Sequence, residues 1–370
     1  MKIFPFRAHY PEEDLIASVD SFLSKVKEQY REFSDNGFFR KASDPAFYLY
    51  EIRVPGGKSY KGILGSADVE EYLAGNIAVH EHTISDKEQQ QMELILQRHA
   101  MVKPLLLCFK GSDEFYGLLD KLLERSTILY SVQLEDQSTH IFHQISLAED
   151  VERLKNYFTQ KVPKVYIADG HHRAAATARL YKKYKKNAGE HLAVDSMMAG
   201  FFPYDELEVH DYNRVIEILN SISPTLLLVK LSQYMHISPL EVAAKPGTKG
   251  ELTMYVSREW YRLKWKEEVL ADFKKSGNDI DYHIFNEVVL KEILGIEDVR
   301  MDYRIKYVEG PAGIQGVIDR SQKNDLRVAF CLYPLQLENM VSVAERGKTL
   351  PPKSTWFVPR IKNGLIVQEV

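Results

Sequence analysis

One segment, residues 164–180, constrains the fold most, because a β-prone run passes through a single glycine directly into an alanine-rich helix. The run Val-Tyr-Ile-Ala leads into Asp-Gly-His-His-Arg at 169–173, and three alanines follow at once. The start of a helix presents backbone N–H groups that lack carbonyl partners, together with the positive end of the helix dipole. We therefore predict an anion site at this strand-to-helix turn, and phosphate is the anion that such a site favours.

Each residue of this turn has a chemical role that fits an anion site. Gly170 permits a positive φ or a close backbone approach, and Asp169 can cap the helix or hold a metal or an imidazole. His171, His172 and Arg173 supply donors for phosphate oxygens. The alternative is a plain helix start with Asp169 as the N-cap and hydrogen-bonded histidines. We favour binding, because two histidines, an arginine and a glycine converge on one turn.

A second candidate is the segment His80-Glu81-His82-Thr83. On a strand, His80 and His82 would share one face and Glu81 would lie on the other. That arrangement predicts either a small metal site or a carboxylate base flanked by donors. The segment is not a zincin motif, because Ile84 stands where His-Glu-x-x-His has its second histidine. An ordinary surface loop explains it equally well.

A third candidate lies near the end of the sequence, at residues 350–360. Two prolines precede Lys353, Ser354 and Thr355, which form a compact donor set for a phosphate or a substrate carboxylate. The set lacks a glycine-rich loop and is no Walker motif, and a proline-stiffened strand entry is the alternative. Arg214 is a weaker candidate, with a surface ion pair as its alternative.

Composition narrows the classes of partner. A net charge of −4 over 370 residues provides no general attraction to nucleic acid or anionic lipid. No run reaches the roughly 18 apolar residues of a membrane span. The two cysteines, Cys108 and Cys331, lie in apolar runs, where buried reduced thiols are expected. We expect a cytoplasmic protein that binds neither membrane nor nucleic acid, and homo-oligomerisation stays open.

The order of elements predicts an α+β fold with a mixed sheet, because strands and helices alternate without a sustained βαβ rhythm. Neither a Rossmann nor a P-loop glycine pattern occurs in the sequence. The predicted helices are Glu12–Phe33, Asp68–Leu73, Asp86–His99, Glu114–Arg125, Leu147–Phe158, one starting within Tyr212–Leu219, Asp279–Leu294 and Leu337–Glu345. The predicted strands include Phe47–Val54, Ser59–Gly65, Lys103–Phe109, Ile128–Leu134, Gln137–Gln144, Met197–Phe202, a hairpin of Glu251–Val256 with Trp260–Trp265, Val328–Tyr333 and Gly364–Val367.

Four motifs in this order resemble the domain of unknown function 1015 family. They are Gly-Ile-Leu-Gly at 62–65, the His-Glu-His-Thr segment, Tyr-Ile-Ala-Asp-Gly-His-His-Arg at 166–173 and Pro-Pro-Lys-Ser-Thr-Trp-Phe at 351–357. The likeness spans nearly the whole chain and includes Asp281 with its following helix and Gly-Leu-Ile at 364–366. The chain departs from the family pattern at Lys-Glu-Gln-Gln-Gln (87–91), at Asn213 and at Ala174.

The Asp-Gly-His-His-Arg box also looks like the phosphate-binding box of the ParB/sulfiredoxin superfamily, which includes free serine kinases. This resemblance implies a nucleotide at Gly170, His171, His172 and Arg173. It further implies that residues 1–220 are a ParB/sulfiredoxin-like core with an N-terminal elaboration and the phosphate loop. Residues 221–370 would be a smaller α+β portion whose Pro-Pro-Lys-Ser-Thr segment returns to the cleft.

These observations lead to one main functional hypothesis and two alternatives. The main one is a phosphotransferase that uses ATP or ADP with Mg²⁺ on a small hydroxyl-bearing metabolite such as an amino acid. Glu81, our own assignment for the base, and Asp169 are its catalytic candidates. Its substrate-binding candidates are His80, Thr83, Arg214, Lys353, Ser354 and Thr355. The alternatives are a ParB-like nucleotide-binding regulatory or DNA-associated protein, and a metal-dependent hydrolase that uses His80, His82, His171 and His172.

Overall fold

The computed structural model describes residues 1–185 and 192–370, which form two compact units. Unit 1 comprises Met1–Glu208 and Pro359–Val370, and unit 2 comprises Val209–Val358. The sequence had suggested a division after residue 220, with the whole C-terminal tail in the second portion. In the structure the chain returns to unit 1 for its last segment, Pro359–Val370.

The described residues contain short and medium-length strands in both units. They are β1 (Ile3–Phe4), β2 (Ala8–Pro11), β3 (Phe39–Lys41), β4 (Phe47–Arg53), β5 (Ser59–Asp68), β6 (Ile77–Ala78), β7 (Ala100–Met101), β8 (Leu105–Phe109), β9 (Thr127–Gln133), β10 (Thr139–Ile145), β11 (Val165–Asp169), β12 (Ser196–Pro203), β13 (Glu208–His210), β14 (Tyr212–Glu217), β15 (Met235–Leu240), β16 (Glu251–Val256), β17 (Glu259–Trp265), β18 (Ile305–Glu309), β19 (Arg327–Leu332), β20 (Trp356–Val358) and β21 (Val367–Glu369).

Helices connect most of these strands. They are α1 (Val19–Asp35), α2 (Val69–Leu73), α3 (Ser85–Arg98), α4 (Asp113–Arg125), α5 (Ala148–Lys161), α6 (His171–Lys185), α7 (Pro224–Ser232), α8 (Glu267–Lys275), α9 (Asp281–Ile284), α10 (Gly313–Ser321) and α11 (Leu337–Glu345). A π-helical segment, Phe285–Ile293, continues α9, and short 3₁₀ turns occupy Glu13–Leu15, Tyr204–Glu206 and Gly310–Ala312. Among the described residues, no helix combines the length and the apolar character needed to cross a membrane.

Unit 1 is built on a nine-stranded mixed sheet in the order β6-β11-β8-β12-β5-β4-β10-β9, with β1 beside β5. Strand β11 runs parallel to β6 and antiparallel to β8, and β12 runs parallel to β8. The other pairings in this sheet are antiparallel. A second sheet of unit 1 has the order β3-β2-β21-β7. The predicted α+β fold with a mixed sheet is therefore confirmed.

The core of unit 1 explains why the helix after the glycine is rich in alanine. Helix α4 buries Phe115, Leu119 and Leu122, which lie on one helical face, and it packs this stripe against the sheet. Helix α6 instead buries Ala174 and Ala178 in the same cluster. Small side chains let the backbone of α6 approach the sheet closely, so the start of the helix is fixed relative to the strand ends.

Unit 2 contains a six-stranded antiparallel sheet in the order β15-β17-β16-β19-β14-β18. The predicted helix starting within Tyr212–Leu219 is wrong, because Tyr212–Glu217 is strand β14 between β19 and β18. Its first five residues are all buried, so the segment shows no alternation of apolar and polar residues. A short, fully buried run cannot be distinguished from a buried helix by periodicity.

Most other element predictions are confirmed to within a few residues. Helix α3 at Ser85–Arg98 corresponds to the predicted Asp86–His99, and helix α11 has the predicted bounds. The predicted hairpin in unit 2 forms from β16 and β17. The last predicted strand, Gly364–Val367, lies further along the chain, as β21 at Val367–Glu369.

Candidate functional site

The turn between β11 and α6 has the geometry that requires a glycine. Strand β11 ends at Asp169, Gly170 has a φ of +112°, and Ala174 N donates to Gly170 O at 3.0 Å as the first helical hydrogen bond. A Cβ atom added at Gly170 would lie 2.6 Å from Nη2 of Arg173 and 2.8 Å from Cδ2 of Leu105. The turn therefore exposes bare backbone directly beneath a guanidinium group, at the positive end of a helix dipole.

Sheet topology brings the second motif to the same place. Strands β6 and β11 are parallel, with Val165 opposite Ile77 and Tyr166 opposite Ala78. The carboxyl ends of parallel neighbours meet at one edge of a sheet, so residues 79–84 lie beside the start of α6. The structure thus brings the His-Glu-His-Thr segment and the Asp-Gly-His-His-Arg turn together within unit 1.

The two histidines of the turn, His171 and His172, hold the His-Glu-His-Thr segment against the start of α6. The ring of His171 packs edge-on against the ring of His80, with centroids 4.5 Å apart, and its Nε2 lies 3.5 Å from His80 N. Ile84 N donates to Nε2 of His172 at 3.1 Å. Hydrogen-bond geometry thus assigns Nε2 of His172 as an acceptor, so this atom does not serve as a phosphate donor here.

Burial keeps this histidine pair neutral. It lowers the pKa of His171 to about 3 and holds the pKa of His80 well below its ordinary value. The neighbouring Asp169 carboxylate favours the charged form of His171, but desolvation of the ring outweighs that effect. Near neutral pH both rings are therefore uncharged, and the positive charge at the turn comes from other side chains.

His80 and His82 do not share one face, as they would on a regular strand. Residues 79–84 form a connecting segment between β6 and α3, in which the His80 side chain is buried with 2% of its surface exposed, whereas His82 is exposed. Over residues 1–185 and 192–370, no group of three or more histidine, cysteine, aspartate or glutamate side chains is arranged to hold a metal ion. The metal-dependent hydrolase hypothesis therefore lacks its predicted ligand cluster. Glu81, between these histidines, is half-buried.

Thr83 joins the segment to both adjacent helices. Its hydroxyl donates to Oε1 of Glu88 on α3, whose Oε2 pairs with Arg179 Nη1 of α6 at 2.8 Å. Burial alone would raise the pKa of Glu88, but the hydrogen bond from Thr83 and the Arg179 cation lower it below the ordinary value. The Thr83 hydroxyl, a predicted substrate ligand, thus already has an acceptor within unit 1.

Asp169 is the centre of an ionic cluster that the sequence did not predict. Arg173 Nη2 lies 2.9 Å from Asp169 Oδ2, Lys103 Nζ lies 3.1 Å from the same oxygen, and Arg360 Nη2 lies 3.4 Å from Oδ1. Burial would raise the pKa of Asp169, but these three cations hold it well below its usual range, with Arg173 the strongest of them. The carboxylate is therefore a paired anion and a very weak base.

Of the two additional cations, Lys103 lies outside the candidate motifs, and Arg360 ends the 350–360 segment, in which only Lys353, Ser354 and Thr355 were proposed as donors. Lys103 precedes β8, which pairs with β11 so that Leu106 lies opposite Asp169. Arg360 belongs to the C-terminal segment that returns to unit 1. Only the register of the sheet and the path of that tail bring these residues to the turn, so local sequence patterns did not indicate their contact with Asp169.

The remaining predicted residues lie in unit 2, where they form a group of their own. Arg214 on β14 has 1% of its surface exposed, which excludes the surface ion pair considered from the sequence. Its Nη1 donates to Tyr212 O and its Nη2 to Pro352 O at 3.3 Å. Its Cζ lies 4.9 Å and 5.4 Å from the ring centroids of Tyr282 and Tyr307. The guanidinium therefore anchors the Pro-Pro-Lys-Ser-Thr segment.

Within that segment the three polar side chains differ in exposure. Lys353 has a φ of +58° and is exposed, with its Nζ 5.5 Å from the centroid of the Tyr212 ring. Ser354 is buried, and its Oγ donates to Pro351 O at 2.7 Å. Thr355 is half-buried. The structure thus brings Arg214 and residues 351–355 together within unit 2, with Lys353 the most exposed of the predicted donors.

The sequence of residues 6–289 matches the profile of a family described as Protein of unknown function (DUF1015). The chain belongs to the DUF1015 family. This match covers most of unit 1 and about half of unit 2, and it includes both the His-Glu-His-Thr segment and the Asp-Gly-His-His-Arg turn of this DUF1015 chain. No match was found among curated proteins.

Several solved structures are similar to this DUF1015 chain at low identity. Truncated SbnI from Staphylococcus aureus is 11% identical with a TM-score of 0.42, and the match covers 81% of this chain and 85% of that one. A free serine kinase in complex with AMP is 12% identical with a TM-score of 0.41, covering 82% and 92%. A conserved hypothetical protein from Pyrococcus furiosus is 14% identical with a TM-score of 0.40, covering 82% and 95%. Similarities at this level support no inference about function.

Proposed function

We propose that unit 1 binds the phosphates of ATP or ADP at the start of α6 and transfers a phosphoryl group to the hydroxyl of a small metabolite such as an amino acid. The observation that carries the proposal is the turn at Gly170, where bare backbone, a helix N-terminus and the Arg173 guanidinium coincide. The resemblance of this box to the phosphate-binding box of the ParB/sulfiredoxin superfamily supports the same assignment.

The residues present fit the phosphates of a nucleotide. A side chain at Gly170 would occupy the space beside Arg173, and α6 offers no carbonyl acceptor of its own to the N–H groups of its first turn. These N–H groups and a guanidinium are the donors that phosphate oxygens favour. We assign Mg²⁺ to the nucleotide phosphates, since the described residues contain no cluster that would hold a metal alone.

The proposed reaction is an in-line displacement. The substrate hydroxyl oxygen forms a bond to the terminal phosphorus, and the bridging P–O bond breaks with its electron pair remaining on ADP, or on AMP where ADP is the donor. The hydroxyl proton passes to the carboxylate of Glu81. Such reactions depend on positioning and on neutralisation of phosphate charge, which a rigid turn with cationic side chains supplies.

Glu81 is our candidate for the base because its surroundings fix its backbone near the proposed phosphate site. The preceding residue, His80, packs against His171, and Ile84 N is hydrogen-bonded to His172. Both contacts are to the first turn of α6, so Glu81 lies in a segment held at that turn. Asp169 is unsuited to this role, because its carboxylate is paired with cations that hold its pKa well below the usual range.

Several parts of the sequence-based hypothesis remain predictions. His80 and Thr83 in unit 1, and Arg214, Lys353, Ser354 and Thr355 in unit 2, remain proposed substrate contacts. A cytoplasmic location and a homo-oligomeric state are likewise proposals. Among the unit 2 residues, the exposed Lys353 ammonium is the one that we would test first against substrate affinity.

A phosphoryl-transfer assay tests the proposed function. The protein is incubated with ATP or ADP, Mg²⁺ and a panel of hydroxyl-bearing metabolites, and new phosphate esters are detected by ³¹P NMR. We expect Glu81→Gln to lower kcat by about 10²–10⁴-fold with nucleotide affinity unchanged. Glu93→Gln, on the exposed surface of α3, serves as the matched control. Absence of both ester formation and nucleotide binding would refute the proposal.

A further inference from the structure

Helix α8 in unit 2 leaves its apolar face only partly covered. Its apolar residues Val269, Leu270 and Phe273 are half-buried, and no residue of the helix is buried. Helix α4 in unit 1 is also amphipathic, but it buries three apolar residues. A helix of nine residues is held in a protein mainly by the packing of such a face. The uncovered part of α8 therefore indicates a contact that unit 2 does not make by itself.

The partly covered face of α8 borders a groove of about 510 Å³ within unit 2, which we call the α8 groove. Val269 and Phe273, four residues apart on one face of α8, line the groove. Tyr234 and Val288, a residue of the π-helical segment, also line it. A groove of this volume with several apolar side chains is typical of an interaction site.

Two carboxylates of the α8 groove are not balanced by a cation. Glu292 accepts a hydrogen bond from the Tyr234 hydroxyl, which stays neutral because this bond raises the pKa of Tyr234. Within residues 1–185 and 192–370, no side chain forms an ion pair with Glu297. The other charged residues of the lining are paired at 3.0–3.6 Å, as Asp272 with Lys275 and Glu287 with Lys291. The groove is therefore both apolar and negatively charged, which complements a basic partner.

We propose that the α8 groove docks a basic, amphipathic helix of a partner protein. The apolar side chains of that helix pack on Val269, Phe273 and Val288. Its lysine or arginine side chains pair with Glu292 and Glu297. Helix α8 and the π-helical segment satisfy their backbone groups internally, so they offer side chains and no strand edge to a partner. The proposal goes beyond phosphoryl transfer, because all its residues belong to unit 2 and the phosphate turn belongs to unit 1.

Fluorescence anisotropy of a labelled model peptide, titrated with the full-length protein, tests the proposal. The peptide is helical, with leucine at i, i+3, i+4 and i+7 and lysine on both sides of that stripe. A charge-reversed peptide carries glutamate in place of lysine. We expect the lysine peptide to bind about tenfold or more tightly than the glutamate peptide at about 50 mM salt, and this difference to shrink at about 500 mM salt.

Variants of the groove locate the binding. Phe273→Ala should weaken binding of the lysine peptide about tenfold or more, because it removes the largest apolar side chain of the lining. Glu292→Gln and Glu297→Gln should each weaken it about two- to fivefold at low salt and reduce the dependence on salt. Leu326→Ala and Glu338→Gln are matched controls, since both residues are exposed in unit 2 outside the groove lining, and they should leave binding unchanged.

The alternative occupants give different results. Failure to bind the lysine peptide, equal affinity for both peptides, or binding that the groove variants do not change would overturn the proposal. Binding of spermine without binding of the peptide would assign the groove to a small polycation, and self-association that Phe273→Ala abolishes would assign it to a second copy of this chain. Either result would overturn a partner helix. Should Phe273→Ala fail to fold, Glu292→Gln and Glu297→Gln still test the proposal, because both side chains are exposed.

Discussion

Replacing Gly170 by alanine is expected to destabilise unit 1 by about 1–3 kcal/mol, mainly through backbone strain. The φ of +112° is a conformation that a residue with a Cβ adopts only under strain, at about 1–3 kcal/mol. The new methyl would also lie 2.6 Å from Arg173 Nη2 and 2.8 Å from Leu105 Cδ2. Both atoms end flexible side chains that can move away, so this contact adds less to the cost than the backbone strain does.

The chain offers a matched control in Gly117, on helix α4 of the same unit. A Cβ at Gly117 would meet no atom within 4 Å, and the residue lies in the interior of a helix. Gly117→Ala should therefore stabilise unit 1 by about 0.5–1 kcal/mol, because alanine loses less conformational freedom on folding. The two substitutions add the same methyl group, and the expected effects have opposite signs.

The assay has to report on unit 1. All three tryptophans, Trp260, Trp265 and Trp356, lie in unit 2, so their fluorescence follows the other unit. Urea unfolding of unit 1 is better followed by far-UV circular dichroism together with hydrogen exchange of β11 and α6. A Gly170→Ala protein within about 0.5 kcal/mol of the wild type would refute the argument from φ and contact distance.

Two further predictions concern buried groups in each unit. Since burial lowers the pKa of His171 to about 3, the unfolded chain binds a proton that the folded protein does not, from the ordinary value of 6.5 downward. The free energy of unfolding of unit 1 should therefore decrease as the pH is lowered below 6.5, by up to about 1.4 kcal/mol per pH unit. His171→Asn should reduce this slope, and an unchanged slope in the variant would contradict the prediction. Arg214→Lys should destabilise unit 2 by about 2–4 kcal/mol, because an ammonium cannot both stack on Tyr282 and bridge two carbonyls. Tryptophan fluorescence during urea unfolding measures this, and a midpoint equal to that of the wild type would show that the stacked guanidinium is not required.

The turn at residues 169–173 was predictable because its information is local. A β-prone run, a glycine and an alanine-rich helix are adjacent in the sequence, and each favours its observed structure independently. The same holds for α4, where apolar residues recur at helical spacing and Ser112 accepts from Phe115 N at the helix start. Such elements can be predicted from the sequence alone, because local propensity and the final packing favour the same structure.

Strand β14 was mispredicted for a physical reason. The segment Tyr212–Glu217 has neighbours on both sides in the sheet, and its polar residues Asn213 and Arg214 are buried through tertiary contacts. Neither an alternating nor a helical pattern distinguishes such a strand. The burial that determines its structure comes from partners far away in sequence, which a local pattern does not contain.

The residues that join Asp169 in the ionic cluster could not be predicted from the sequence, for a related reason. Lys103 reaches Asp169 through the register of β8 against β11, and Arg360 reaches it through the return of the C-terminal segment to unit 1. The difference in exposure between His80 and His82 also depends on packing, because His80 is buried against His171 whereas His82 is exposed. The sequence therefore located the turn, whereas the side chains around it required the three-dimensional structure.

The central claim, that nucleotide phosphates bind at the start of α6, is tested most directly by hydrogen exchange with and without ADP and Mg²⁺. Phosphate oxygens that accept from backbone N–H groups should slow exchange at residues 170–173, with smaller protection in residues 79–84. Arg173→Met should abolish this protection at the same ADP concentration. Unchanged exchange at residues 170–173 under ADP concentrations that saturate binding, or protection confined to unit 2, would contradict the claim.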